Sequence, residues 1–354
     1  MDPRARATGR RKERSLASPR FAEGLFRNTR RTSIGPKPGM RLGVAKEYLF
    51  GKAVRRPPKP LAAIDPRPGW ARPIASGLRT TWLGHSTVLL EIDGARVLTD
   101  PVWSERISPF GVAAPKRFQP VPIPVTDVPE LDAIVISHDH FDHLDRGTIE
   151  ALASRSTPFV VPLGVGMYLE AWGIPPERVI ELDWWESIEI RGLTLTTTPS
   201  QHFSGRVGNR NKTLWASFVI ATANHRVFFS GDTALTPEFE QVREMFAPFD
   251  LVMLEVGGFH PSWDHVHLGP DNALEALRML GGGPFMPVHW GTFNLALHAW
   301  DDPAERLHEG ETSGIELLMP QLGAPFEPAH GLPRKAWWRE EPDRAPAAAA
   351  VRAT

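Results

Sequence analysis

The chain has 354 residues, 42% of them hydrophobic, the profile of a globular protein with room for a substantial core. It has no cysteine, which excludes a disulfide scaffold and thiolate zinc sites, so any metal has to be held by imidazole and carboxylate. The formal charge of −1 hides an asymmetry: residues 1–60 hold 17 Lys+Arg against 4 Asp+Glu, and residues 61–354 hold 23 against 37.

Residues 1–60, with Arg10, Arg11, Lys12, Arg30, Arg31, Arg55 and Arg56 set among Pro and Gly, read as a basic, disordered arm. Such an arm could touch anionic lipid or nucleic acid, although a solvated tail is the simpler expectation. The charged start is not followed by the apolar region of a secretory signal, and no run of about 18 apolar residues offers a membrane span. A soluble, cytoplasmic protein is the expectation. After a Pro-rich linkage over 55–68, strands are predicted at 80–83, 87–92 and 96–99, with Asp93-Gly94 as a hairpin turn. A Pro-rich excursion between Val102 and Pro129 can be neither helix nor central strand; its Trp103, Phe110 and Phe118 could form an apolar wall. A strand over 132–137 and a helix over 145–153 follow. Further strands are read at 159–161, 187–190, 193–197, 214–221, 226–230 and 251–255, and helices at 164–172, 237–245, 270–280 and 303–309. Two groups of strands with helices outside suggest an α+β sheet-on-sheet domain over 61–340. Residues 341–354 read as a low-complexity tail.

The chemistry is concentrated in His138-Asp139-His140-Phe141-Asp142-His143, directly after an apolar stretch. If the chain leaves the strand extended, side chains two apart share a side. His138 and His140 can then grip one ion while Asp142 and His143 turn toward a second. Histidine and aspartate at this density beside a buried strand are costly unless a cation neutralises them. Two metals need more than four ligands, and three later strand ends offer polar residues: His202, Asp232 and His289. Each taken alone reads more simply as a core histidine or a turn residue; their joint occurrence argues for a site. Zinc suits these donors first, with Mn2+ or Fe2+ as competitors.

This ordered set resembles the metallo-β-lactamase superfamily. A narrower resemblance rests on Trp82-Leu83-Gly84-His85-Ser86-Thr87, Leu98-Thr99-Asp100-Pro101, Pro115-Lys116-Arg117-Phe118, Asp183-Trp184-Trp185-Glu186, Gly231-Asp232-Thr233 and His289-Trp290-Gly291-Thr292-Phe293. These motifs are similar to those of N-acylphosphatidylethanolamine-hydrolysing phospholipase D and its bacterial relatives. The resemblance implies a four-layer αβ/βα sandwich, the metallo-β-lactamase fold, with two Zn2+ at one edge. It implies that His138, His140 and His202 hold the first metal, that Asp142, His143 and His289 hold the second, and that Asp232 bridges them. It further implies a phosphodiesterase of phospholipase D type, working through a hydroxide between the metals, with Asp142 taking a proton and His267 beside the substrate. Asp100 would orient a ligand imidazole or merely close a turn; His85 would do the same or serve as a buried structural histidine. The expected partner is a phospholipid or small-molecule substrate, with peripheral contact with a membrane and a homodimer as further expectations and no nucleic acid. Carboxylic ester or lactone hydrolysis, or a nuclease aided by the basic arm, are the alternatives. No partner is assigned to His225, His260, His265, His298, His308 or His330.

Overall fold

The computed structural model describes residues 8–32, 35–108, 114–206, 208–310, 312 and 314–340. The tail 341–354 and Phe110 lie outside the described residues. The leader departs from the expectation of a disordered arm, because part of it is built into the fold. Helix α1 (Gly9–Ala17) sets the Arg11 guanidinium 2.6 Å from Glu170 and 3.2 Å from the buried Glu181. The hairpin of β1 (Phe21–Ala22) and β2 (Leu25–Phe26) buries Phe26 completely, with Trp184 and Trp215 in its cluster. Composition showed an excess of cations over local acids; the acids that receive Arg11 lie more than 150 residues further along. Helix α2 (Arg41–Phe50) is different, with no buried residue, and a single turn α3 (Arg67–Trp70) leads into the sheets.

The first sheet opens with three antiparallel strands, β3 (Leu78–Gly84), β4 (Thr87–Ile92) and β5 (Ala95–Thr99). It continues in parallel through β6 (Ala133–Val135), β7 (Phe159–Pro162) and β8 (Val179–Leu182). The second sheet is antiparallel through β9 (Ser187–Ile190), β10 (Leu193–Thr198), β13 (Ser217–Ala221) and β14 (Arg226–Phe229), with a small hairpin, β11 (Gly205–Arg206) and β12 (Asn209–Arg210), inserted. It ends in parallel with β15 (Leu251–Glu255) and β16 (Phe285–Val288). Pro325–Phe326, strand β17, returns to the edge of the first sheet beside β3. The strand at β16 was visible only as a short apolar run because Pro287 interrupts it; as the edge of its sheet, it tolerates the missing donor.

Side-chain alternation builds the layers. Val88 and Leu90 of β4 belong to the core between the sheets, with Phe218 and Ile220 of β13. Leu89 belongs to the outer cluster, with Ile149 and Leu152 of α4 (Arg146–Leu152) and Leu169 of α5 (Gly166–Ala171). On the second sheet Phe228 faces outward, edge-on to Phe239 of α6 (Glu238–Phe246) at 6.1 Å. α7 (Gly269–Met279) and α8 (Asp302–Glu309) pack together, and α7 also contacts β15. The result is a helix–sheet–sheet–helix sandwich. Trp82 and Trp290 stack at 5.3 Å beneath one edge and receive Trp337 and Trp338 of the last described segment.

One buried ion pair anchors the first sheet. Arg79 and Glu91 lie 2.5 Å apart across β3 and β4, and the guanidinium also donates to the carbonyls of Gly69, Trp70 and Arg72. Glu91→Ala leaves that cation buried and unpaired, and is expected to cost about 3–5 kcal/mol in chemical denaturation; a loss within the error of the wild-type curve would contradict the role.

Candidate metal centre

Every predicted ligand sits on a loop at one edge of the sandwich, where strand ends from both sheets converge. The segment 137–143 follows β6, Asp100 follows β5, His202 follows β10, Asp232 follows β14, and His289 follows β16. His85, Asp100 and His289 have φ of 55°, 34° and 65°, a left-handed backbone that costs free energy outside glycine and is tolerated where packing imposes it. Gly231, at φ 54°, lets Asp232 approach: a Cβ there would lie 2.5 Å from Ser137 Cβ.

Two donor clusters result, His138, His140 and His202 with Asp232, and His85, Asp142 and His143 with His289, and a smaller group of Asp232, His267 and His289 shares members with both. In the first, His138 Nε2 lies 2.8 Å from His140 Nδ1, His202 Nε2 lies 3.3 Å from the same atom, and Asp232 Oδ2 is 3.8 and 3.7 Å from His138 and His202. In the second, the Nε2 atoms of His143 and His289 are each 3.2 Å from Asp232 Oδ1 and 3.5 and 3.4 Å from Asp142 Oδ2. Asp232 thus turns one oxygen toward each cluster. Four ligands around a metal at 2.0–2.1 Å would stand about 3.3 Å apart, and both sets of distances bracket that value. His143 Nε2, His289 Nε2 and Asp232 Oδ1 are buried without a hydrogen-bond partner. Buried polar atoms left this way are costly, and a cation satisfies all three at once. The residues present therefore fit a pair of metal ions.

Three of the remaining nitrogens are fixed by neighbours, whereas His289 Nδ1 is buried without a hydrogen-bond partner. His143 Nδ1 donates to Asp100 at 2.6 Å, His202 Nδ1 donates to the Val266 carbonyl at 2.7 Å, and His138 Nδ1 donates to Ser137 Oγ at 2.9 Å. The Ser137 hydroxyl in turn donates a hydrogen bond to Asp100 Oδ2 at 2.6 Å. One buried carboxylate thereby sets the tautomer of a histidine in each cluster. His85 Nε2 donates to Asp142 at 3.0 Å, and its ring lies 4.1 Å from that of His289. Burial and the His289 charge push His85 down to about 3, so it is a neutral donor.

The charge states follow from burial against carboxylates. His138 and His202 are driven well below the usual range by burial and keep a free lone pair. Burial would also lower His143 and His289, but Asp232 and Asp142 override it, holding His143 well above its ordinary value and His289 at about 10. Metal and proton then compete for the same Nε2 atoms. Loading metal-free protein at neutral pH is expected to release about two protons, and affinity to fall as pH drops. Calorimetry in buffers of different ionisation enthalpy reads this; release of no protons would contradict it.

His267 Nδ1 lies 3.1 Å from Glu255 Oε1, which also accepts from the Leu268 N–H at 2.8 Å. Burial lowers His267, and the Glu255 carboxylate more than reverses it. A donor atom of His267 groups with those of Asp232 and His289 within 4.8 Å, beside both clusters. Glu255, completely buried, was missed; an acid closing the apolar run 251–255 was the available signal. Asn28, in the leader segment Phe26-Arg27-Asn28-Thr29 that only loosely resembles the phospholipases, had no role assigned from the sequence. From the leader, its side chain pairs with both the N–H and the carbonyl of His202 (3.2 and 2.7 Å). Asp139, between the ligands, turns away and accepts from the Gly205 N–H, with burial pushing it up to about 6. Trp103 and Phe118 tether the Pro-rich loop, through the Ile123 carbonyl and Trp300, and also line a cavity of about 600 Å³. Phe203 and Phe293 instead touch the site, Phe203 stacked on His202 and Phe293 edge-on to His85. His225 pairs with Asp93 and His260 with Glu47, away from the ligands.

The beta-lactamase superfamily domain family matches residues 95–290. An uncharacterized protein of Mycobacterium tuberculosis is 43% identical over 332 residues, covering 92% of this chain and 88% of that one. N-acyl-phosphatidylethanolamine-hydrolyzing phospholipase D 1 of Caenorhabditis elegans is 35% identical over 249 residues, covering 66% of this chain and 70% of its own length. Among solved structures, an isothiocyanate hydrolase from Delia radicum gut bacteria superposes with a TM-score of 0.58 at 22% identity, over 70% of this chain and 98% of that one. With its sandwich, its paired His/Asp clusters and these relatives together, the chain belongs to the metallo-β-lactamase superfamily and has the fold of its metal-dependent hydrolases.

Proposed function

We propose that the chain is a dizinc phosphodiesterase of phospholipase D type acting on N-acylphosphatidylethanolamine-like lipids. The observation that carries this reading is the pair of clusters sharing Asp232 with a carboxylate-backed histidine, His267, beside them. The likeness to the nematode phospholipase supports the substrate class. Bound at these clusters, two zinc ions would lower the pKa of water and neutralise phosphate charge. The protein's residues supply the rest. Asp142, held by the His85 N–H, is placed to take the proton of the attacking water. His267, kept protonatable by Glu255, is placed to donate to the phosphate or to the leaving oxygen. Phe203 and Phe293 provide an apolar border suited to an acyl chain.

The test is turnover of bis(4-nitrophenyl) phosphate and N-acylphosphatidylethanolamine by metal-quantified protein, beside a lactone panel. Phosphodiester hydrolysis is expected; lactone turnover with no phosphodiester turnover would overturn the reading. His267→Ala is expected to lower kcat about 10²–10⁴-fold with metal content unchanged.

A further inference from the structure

Helix α2 presents its apolar side chains to solvent. Leu42 is 86% exposed, Leu49 70% and Phe50 75%, with Val54 just beyond at 60%. A cluster of large apolar groups this dense on a surface marks an interaction face rather than scattered exposure. Residues 41–60 also carry six cations, Arg41, Lys46, Lys52, Arg55, Arg56 and Lys59, against a single acid. That acid, Glu47, is taken up by His260 at 3.0 Å.

The segment is tied to the domain beside the metal centre. The Trp300 N–H donates to the Val54 carbonyl at 3.0 Å, and the Arg55 guanidinium lies over Tyr48 at 5.3 Å. Arg55 lines a small cavity together with His289, Gly258 and Phe293. Tyr48, Arg55, Arg56 and Arg106 border an adjoining groove of about 580 Å³. The exposed apolar helix, the cations and the approach to the ligands therefore occupy one face.

We infer that α2 with residues 51–59 is a docking surface for an anionic phospholipid bilayer, set so that the metal centre opens toward the membrane. This deepens the lipid reading above, and it concerns binding rather than turnover. Charge complementarity favours the bilayer over a two-fold dimer through this face: two such basic segments set against each other repel, whereas anionic headgroups attract them. Residues 61–354 hold 23 Lys+Arg against 37 Asp+Glu and would be repelled by the same surface, so the attraction has to come from the leader. Leu42, Leu49 and Phe50 suit shallow insertion at the headgroup boundary, with the cations remaining among phosphates. No helix of the described residues is long and apolar enough to cross a membrane, which is consistent with a helix lying on the surface.

The experiment is co-sedimentation of the full chain with vesicles of phosphatidylcholine alone and of equimolar phosphatidylcholine and phosphatidylserine. Binding to the anionic vesicles, weakened by salt, is expected. The triple variant Leu42→Gln, Leu49→Gln, Phe50→Gln should lose that binding, and Lys46→Ala with Lys52→Ala should weaken it about tenfold or more. Unchanged hydrolysis of bis(4-nitrophenyl) phosphate by the triple variant shows that it remains folded; for a protein inactive on that ester, an unchanged circular dichroism melting curve serves instead. Equal binding to both vesicle types, or undiminished binding by the triple variant, overturns the inference. So does a wild-type dimer that the triple variant converts to monomer with no vesicle binding, which would assign the face to a second copy. Vesicle binding that holds while no lipid is hydrolysed supports the surface and counts against the catalytic reading alone.

Discussion

Asp232→Ala is expected to abolish both clusters at once, lowering hydrolysis by roughly 10³-fold or more and bound metal from two ions per chain to one or none. The size of the effect follows from geometry. Asp232 contributes Oδ2 to the cluster of His138, His140 and His202, and Oδ1 to that of Asp142, His143 and His289. The other ligands each serve one cluster. Its removal also leaves His143 and His289, both buried, facing one another with less negative charge between them. Asp232→Asn should recover little, because an amide offers one oxygen where two are used. Elemental analysis and turnover on the same preparation check this, and full metal content in the alanine variant would contradict the shared role.

Asp100→Ala is the second large effect, although Asp100 lies within neither cluster. Its Oδ2 accepts from His143 directly and from His138 through Ser137, and its Oδ1 accepts from the Ser137 N–H at 2.7 Å. Deleting it frees one imidazole in each cluster to rotate or change tautomer, for which about 10–100-fold in metal affinity is the usual consequence. The Ser137 N–H and His143 Nδ1–H are also left buried without an acceptor, which costs about 1–3 kcal/mol each. Weaker metal binding and a lower melting temperature in the metal-free protein are both expected. If metal competition against a chelator gave the wild-type affinity, the positioning role would fail.

The fold was legible where a short apolar run or an apolar–polar alternation was locally bounded. The strands 87–92, 187–190 and 251–255 recur as β4, β9 and β15, and the αβ/βα sandwich is the architecture observed. β8 was not legible, because Glu181 sits in the middle of its short apolar run, and that buried carboxylate is satisfied by Arg11 from the leader together with the N–H groups of Gly164 and Gly166. The same long reach hid Asn28, whose contact with His202 spans 174 residues. Local composition cannot register such pairings, and for that reason the leader looked like an arm throughout. For the site, four candidate ligands could be named because they crowd into the run 138–143, and His202, Asp232 and His289 because each follows a strand end. What stayed hidden was the supporting shell: His85 could not be told from a core histidine, and Glu255 looked like the polar end of a strand. The structure sets them 3.0 Å from Asp142 and 3.1 Å from His267.

Elemental analysis of the purified full chain, dialysed after saturation with zinc, tests the central claim most directly. Two zinc ions per chain, falling in the Asp232→Ala protein in step with the loss of phosphodiester hydrolysis, is the result the paired clusters predict. One ion per chain or none, with hydrolysis intact, would contradict them.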